Sequence, residues 1–291
     1  GTIRDWLIGI KVVNGDGSIT KAGGKVVKNV AGYDLMKLYT GSFGTLSIIG
    51  EMSFKLRPCP TSELTLIGLF PNLTELYEAA KLTFSSQLSA SAIDLVQPQA
   101  LQICFPTVPT TALPALAVRL LGLPEAVKAN SQKLIELWHG YSQKEFLIES
   151  EGQQSWKRLS DLALYISHNL RLKISVLPSR FLQIVKLIER TFSELTEKLE
   201  ITSYLGNGVI RLFAQTKENL EISLYQQATE TLRGFCHQEG GGVVLELAPS
   251  ELKQQVDVWG VVGSQIDLMK AIKNRLDPNS ILSPGRFLTG L

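Results

Sequence analysis

The sequence predicts an α+β fold, an antiparallel sheet with helices on one face, joined to a smaller region of strands and turns at the N-terminus. Three observations predict it. Between residues 64 and 247, short apolar runs of strand length alternate with longer runs at helical spacing, and a β-α-β rhythm recurs. Residues 46–57 alternate with period 2, as a half-buried strand does. Pro58 and Pro60 then interrupt the chain where the rhythm changes.

The elements follow in order. Trp6 to Val13 is β-rich, and Asn14-Gly15-Asp16-Gly17 after it is a hairpin-turn signal, because Asn and Gly tolerate positive φ. Ile19, Val26 and Val27 continue the β character, and Leu35 to Leu38 is a short helical stretch. In the run Leu46 to Arg57, Leu46, Ile48, Met52, Phe54 and Leu56 share one face. Beyond the prolines, strands are expected at 64–70, 92–96, 116–121, 164–176, 209–213 and 243–247. Helices are expected at 73–88, 124–138, 181–195 and 220–232, the second with Pro in its first turn. Ser264 opens a last helix, with Asp267 placed for a capping box and Pro278 as its stop. The recurrence fits two ferredoxin-like halves, although no sequence repeat accompanies it.

Composition excludes several classes. With 44% hydrophobic and 19% charged residues in 291, the chain can bury a sizeable core. Lys and Arg number 29 against 27 Asp and Glu, so no basic excess points to nucleic acid. No apolar run approaches the ~18 residues of a membrane span. The three cysteines (Cys59, Cys104, Cys236) form no C-x-x-C pair, and the three histidines (His139, His168, His237) lie far apart. A disulfide framework, structural zinc or an iron–sulfur cluster is therefore not expected. The chain opens Gly1-Thr2-Ile3-Arg4-Asp5 without Met or a secretory leader, and is expected to be cut from a longer one.

Nucleotide motifs are mostly missing. No G-x-G-x-x-G links a strand to a helix, and no G-x-x-x-x-G-K-[ST] is present. Glu239-Gly240-Gly241-Gly242 leads into a strand and reads as a flexible turn. The informative stretch is Lys25 to Glu51. Gly32, Gly41 and Gly44 would let the backbone approach a flat ligand, Ser42 and Thr45 add hydroxyls, and Tyr33 and Asp34 sit at a strand-to-helix turn. Both a ligand loop and a tight structural turn fit this composition. Cys236 beside His237 lacks a third orienting group for a nucleophile. His168, within the expected 164–176 strand, is the best-placed histidine for a base.

Residues Lys28 to Leu35 (KNVAGYDL), followed by Gly41-Ser42-Phe43-Gly44-Thr45-Leu46, resemble the FAD-binding domain of vanillyl-alcohol-oxidase, or PCMH-type, flavoproteins. The glycolate oxidase and D-lactate dehydrogenase branch is the most similar. Arg4-Asp5-Trp6-Leu7-Ile8-Gly9, the Asn14–Gly17 hairpin and the tail Asp277-Pro278 to Ser283-Pro284-Gly285-Arg286 carry the same resemblance in the same order. It covers residues 1–58 and 264–287 and is weak between them. It implies a partial PCMH-type FAD-binding domain over 1–58, a ferredoxin-like α+β cap with an antiparallel sheet over 63–260, and a helix and tail over 264–291 that return to the FAD domain.

The resemblance also implies FAD as cofactor and a 2-hydroxy acid as substrate. It places Thr2, Arg4, Asp5, Gly32, Tyr33, Asp34, Gly41, Ser42, Gly44 and Thr45 near the flavin and its phosphates, and Ile48 and Ile49 along the adenine. Phe43 stands where relatives often have Glu, and Ser47, Gly50 and Ser283 also depart from the pattern. The family's Gly-rich phosphate loop lies upstream of the matching region, so this chain alone is expected to hold FAD weakly. The catalytic relatives carry an "HxGDGNxH" segment in the cap. Here Tyr204 to Arg211 (YLGNGVIR) keeps the glycines without a histidine, a pattern that resembles the glycolate oxidase subunit-E branch. Arg211 and Arg286 are candidates for a substrate carboxylate, although Arg211 reads better as a water-facing strand-edge residue. No catalytic residue and no metal ligand is assigned. The partners implied are other glycolate-oxidase-like subunits, one of them an iron–sulfur subunit, in the cytoplasm or held at a membrane through those partners. Two rival readings are a self-sufficient D-lactate or D-2-hydroxyacid dehydrogenase, and a structural subunit without catalysis.

Overall fold

A computed structural model describes residues 2–26, 33–148, 152–218, 221–260 and 263–290. The chain divides into two compact units, Gly1–Cys59 with Val261–Leu291, and Pro60–Gly260.

The first unit is built on a three-stranded antiparallel sheet of β1 (Leu7–Val13), β2 (Ile19–Gly23) and β3 (Ile48–Phe54), in the order β2-β1-β3. The Asn14–Gly17 turn closes the β1–β2 hairpin. The Asn14 amide donates to the Ser18 carbonyl at 2.9 Å, the Asp16 carboxylate accepts from the Ser18 amide and hydroxyl, and Gly17 takes φ +81°. A small core of Leu7, Ile10, Val12 and Tyr39 forms where the helix Leu35–Tyr39 and the end of the helix Ile266–Leu276 cover the sheet.

The C-terminal tail is fastened to this sheet by polar contacts. Gly15 donates to the Leu276 carbonyl at 3.1 Å, and a side chain at Gly15 would strike Asp277, whose Oδ1 is 2.6 Å from its Cβ position. Lys273, only 3% exposed, donates to the carbonyls of Thr45 (2.7 Å) and Leu282 (3.0 Å) and to Asp277 Oδ2. An ammonium has three N–H bonds, and all are used.

Two expectations for this unit are corrected. The alternating strand of residues 46–57 forms, but it is not half-buried: Ile48, Met52, Phe54 and Leu56 are exposed, Leu56 by 86%. Alternation predicts a face able to be buried, and among the described residues nothing in this unit covers that face. The final helix begins at Ile266 with Gln265 as its cap and without a side-chain cap bond, so the Ser264 capping box does not form.

The second unit is an eight-stranded sheet, antiparallel throughout. Its strands are β4 (Ser62–Leu69), β5 (Ala90–Val96), β6 (Ala115–Gly122), β7 (Lys144–Ile148), β8 (Leu170–Ser175), β9 (Thr196–Tyr204), β10 (Val209–Thr216) and β11 (Gly242–Leu247), in the order β11-β8-β10-β9-β5-β6-β4-β7. This order contains two ferredoxin-like halves. In each, the fourth strand pairs with the first, the first with the third and the third with the second. The halves join through their second strands, β5 and β9, with Asp94 opposite Tyr204.

The helices Leu73–Ser85, Pro124–Trp138, Phe181–Phe192 and Ile222–Gln238 pack on one face around the main core, which includes Leu66, Leu95, Leu116, Leu172, Ile188, Ile201 and Leu212. The helix Phe181–Phe192 buries Phe181, Ile184, Val185, Ile188 and Phe192, a stripe at spacings of three and four. Helices on one face only is corrected as well. The helices Pro98–Cys104 and Gly152–Ser160 cover the opposite face of the first half, burying Ile67, Val96, Ala117, Phe105 and Trp156. For that reason β4 is buried along both sides and reads as a continuous apolar run. The expected strand 164–176 is shorter: Leu162–Leu164 is a 3₁₀ turn and only Leu170–Ser175 is extended. β9, β7 and the two back-face helices have no counterpart in the sequence reading.

Candidate functional site

In the first unit four of the candidate residues, Arg4, Gly41, Ser42 and Thr45, line one cavity of about 350 Å³. Arg4, Lys37, Thr40, Gly41, Ser42 and Thr45 line one part, and Met269, Ile272, Lys273 and Phe287 the other. The chain makes this wall by two turns. Asp34 caps the helix Leu35–Tyr39, accepting from the Lys37 amide at 3.4 Å and pairing with its ammonium at 2.9 Å. The Lys37 hydrogen bond holds the Asp34 carboxyl below its ordinary range. The loop then turns through Gly41 (φ +86°), Phe43 (φ +54°) and Gly44 (φ +75°). Positive φ is costly for a ring-bearing residue. Phe43 is held there with its ring stacked on Phe287 at 5.7 Å.

Several of the sequence-selected residues have local roles. Thr2 and Asp5 close a capping box, the Thr2 amide and hydroxyl both donating to Asp5 Oδ2, and these bonds lower the Asp5 pKa. Thr45 is buried, its hydroxyl bonded to the Ser42 carbonyl at 2.7 Å. Tyr33 is 89% exposed, and Ile48 and Ile49 begin the uncovered strand β3. Gly32 lies outside the described residues, as do Lys28 to Ala31. Arg286 is exposed on the tail. The sequence reading missed Lys37 and Lys273, two cations of the cavity wall. A lysine on an otherwise apolar helical stripe, with an aspartate four residues on, is the signal that would have found Lys273.

In the second unit, strand alternation places Arg171 and Lys173 of β8, Glu200, Thr202 and Tyr204 of β9, Arg211 of β10 and Asp94 of β5 on the face opposite the main core. The back-face helices cover the first half of that face; on the second half it is polar. Arg211 is an interior residue of the sheet, between Lys173 and Thr202, which corrects the strand-edge reading. Its guanidinium lies 5.3 Å from the Tyr204 ring centre and 3.7 Å from Glu246, which also meets Arg171 at 3.1 Å. Asp94 is 1% exposed, and its Oδ2 has no hydrogen-bond partner. Burial pushes the Asp94 pKa well up, with Arg211 opposing. Glu200 is raised to about 7 by burial, against a bond from the Ala100 amide at 2.7 Å.

His168 lies before β8, not in a strand. Its Nδ1 meets the Ile166 carbonyl at 2.8 Å, its ring stands edge-on to Phe213, and its Nε2 is buried without a partner. The thiols of Cys104 and Cys236 are buried and pushed up to about 12, far from a reactive thiolate. Among the described residues no group of three or more His, Cys, Asp or Glu could hold a metal, and no helix is long and apolar enough to cross a membrane.

Comparison with known proteins bears on both units. Residues 252–287 match the family model for the C-terminal domain of FAD linked oxidases. The chain is 29% identical to glycolate oxidase subunit GlcD of Bacillus subtilis over 99% of its own length and 64% of that protein. It is 41% identical to glycolate oxidase subunit GlcE of Escherichia coli over 27% of this chain and 23% of that one. The solved structure of 4-ethylphenol oxidase from Gulosibacter chungangensis superposes with a TM-score of 0.65 at 16% identity, covering 97% of this chain and 65% of the other. The chain thus spans less than two thirds of each of these proteins. It is similar to FAD-linked oxidases at its C-terminal end, over residues 252–287, and shares the fold of the solved oxidase along nearly its whole length.

Proposed function

We propose that this chain is part of an FAD-dependent oxidoreductase that converts a 2-hydroxy acid to a 2-oxo acid, as the FAD-binding subunit of a glycolate-oxidase-like complex. The observation that carries the reading is the match to glycolate oxidase subunit GlcD over 99% of the chain. The D-lactate and 2-hydroxyacid dehydrogenase branch of the same resemblance shares that chemistry.

The first unit fits part of the cofactor. FAD carries a diphosphate, and Arg4 and Lys37 bring two cations to the cavity beside Gly41, where an added Cβ would meet nothing within 4 Å. A cavity near 350 Å³ lies at the low end for ligand pockets (roughly 300–1,000 Å³), enough for a portion of a dinucleotide. Bound flavin supplies the two-electron acceptor for hydride. The chain's own residues do the rest. Lys37 and Arg4 neutralise phosphate, and the turn at Gly41 admits a close backbone approach. On the second unit, Arg211 and Arg171 orient the substrate anion.

The Tyr204–Arg211 segment supports the subunit reading over the self-sufficient dehydrogenase, because no histidine occupies it. Electrons would leave to a partner, by family an iron–sulfur subunit, since the chain has no cluster ligands among its described residues. Calorimetric titration with FAD and turnover of glycolate and D-lactate with an artificial acceptor test the proposal. Weak FAD binding that Gly41→Val, whose side chain would enter the open cavity, abolishes is expected. Undiminished binding in that variant would remove the loop from the cofactor site, and no turnover in the assembled complex would leave the scaffold reading.

A further inference from the structure

We propose that Phe43 is a positioning residue for the cofactor: its stack on Phe287 lets the C-terminal tail hold the Gly41–Thr45 loop in the shape that lines the cavity. The inference rests on the reading of that cavity as part of an FAD site, and extends it to a residue outside the cavity wall.

The argument begins with the backbone. Among the described residues, four that are not glycine have positive φ. Three of them lie in this loop and the tail: Phe43 (+54°), Ser280 (+50°) and Ser283 (+42°). A side chain in that region crowds its own backbone, and such residues persist only where their surroundings over-determine them. The Thr45 amide donates to the Ser42 carbonyl at 3.0 Å, so residues 42–45 form a turn with Phe43 and Gly44 (φ +75°) at its centre. Positive φ at both central residues is the pattern of a type I′ turn, which Gly, Asn and Asp fill readily and a ring-bearing residue does not. At Phe43 the local sequence therefore works against the loop's own conformation.

The tail supplies what opposes that preference. The Phe43 ring stacks on Phe287 with centroids 5.7 Å apart and planes at 27°. An aromatic pair at that distance attracts beyond the area it buries. One residue on, the Cβ position of Gly44 is 3.3 Å from Ser283 Oγ, so the loop backbone passes against the tail. At the next residue, the Thr45 carbonyl accepts from Lys273, which also holds the Leu282 carbonyl. Loop and tail are thus tied at residues 43, 44 and 45 in succession. Gly41, Ser42, Thr45 and Phe287 line the cavity with Arg4 and Lys37, and Phe43 does not. Phe43 therefore acts on a ligand in the cavity through the backbone it holds, not through its ring.

The test separates the stack from the strain. Phe43→Ala removes the stack and keeps a side chain that disfavours positive φ. Phe43→Gly removes both, and Phe43→Tyr keeps both. Hydrogen exchange of the Ser42 and Thr45 amides, bonded to the Tyr39 and Ser42 carbonyls, reads the loop in the full chain without FAD. Exchange is expected to quicken about tenfold in Phe43→Ala, for the lost ring pair and its buried area. In Phe43→Gly it should quicken only about threefold, because relief of the left-handed strain outweighs the freedom glycine adds. Phe43→Tyr should match the parent. Calorimetric titration with FAD should rank the affinities in the same way, parent and Phe43→Tyr together, Phe43→Gly weaker and Phe43→Ala weakest, since apparent affinity follows the population of the competent loop. Adding FAD to the parent should slow exchange at both amides. A ring that only packs, or that itself touches the ligand, gives the reverse order with glycine weakest, because alanine keeps a methyl group and the stiffer backbone. That reverse order in either measurement, or equal affinity in all the variants, overturns the proposal. If the parent binds no FAD, the cofactor reading fails and takes the positioning role with it, while the exchange order, measured without ligand, still tells whether the stack holds the loop.

Discussion

Lys273→Met is the substitution that most directly tests how the first unit is held together. The parent ammonium spends its three N–H bonds on the Thr45 carbonyl, the Leu282 carbonyl and Asp277, joining positions 228 residues apart in sequence. Asp277 is fully shielded and also accepts from the amides of Leu282 (2.8 Å) and Ile281 (3.1 Å). Methionine fills the volume but donates nothing, so two carbonyls and one carboxylate lose a donor together. Breaking a buried pair from one side costs about 3–5 kcal/mol. The two backbone amides that Asp277 keeps put the expected loss at the lower end, about 3 kcal/mol. For a unit of about 90 residues, that lowers the melting temperature by roughly 12–24 °C.

Calorimetry would read this as a fall in the first unit's transition, with the second unit's transition in place. Acid gives an independent readout. Burial alone would raise the Asp277 carboxyl, but the bonds from Lys273, Leu282 and Ile281 outweigh it and leave the pKa below 3.8. Its folded value is depressed, so its contribution is present above the unfolded value of 3.8 and is lost as pH falls through the folded one. The parent's first unit should lose stability there, and Lys273→Met should show less of that loss. Melting of the variant within about 2 °C of the parent would refute the reasoning, because the ammonium would then contribute nothing net.

Three further outcomes are expected in the second unit. Gly208→Ala should cost at least about 2 kcal/mol in urea unfolding, because φ is +69° and the new Cβ would stand 1.9 Å from the Val176 carbonyl oxygen; a cost under about 0.5 kcal/mol would mean the turn relaxes freely. Trp156→Phe removes the indole bond to Thr65 Oγ1 (2.8 Å), leaving a fully buried hydroxyl without it, and should cost about 1–3 kcal/mol by the same measurement. Glu200 has a folded pKa raised from 4.5 to about 7, so stability should fall as pH rises from 4.5 to about 7, by about 3 kcal/mol. Glu200→Gln should flatten that slope, and an undiminished slope would place the titration elsewhere.

What the sequence determined by itself were features with local causes. The Asn14–Gly17 turn, the helix at 124–138 and the strand at 243–247 were legible because turn chemistry and apolar spacing act over a few residues. The α+β class and the two ferredoxin-like halves followed from the β-α-β rhythm. The resemblance marked the loop from Gly41 to Thr45, which the structure places on a cavity wall. Tertiary structure decided the rest. β9 was illegible because Thr196 to Tyr204 mixes charged with apolar residues, and its stability comes from β5 and β10 on either side. The exposure of β3 was likewise invisible: alternation states which face could be buried, and only the neighbouring elements determine whether it is. Lys273 carries one local hint, Asp277 four residues on, but only the folded chain brings the Thr45 and Leu282 carbonyls to its ammonium. Asp94 reads as one carboxylate among many until the seam of two half-sheets encloses it. Burial and partnership join residues distant in the chain, and no local pattern encodes them.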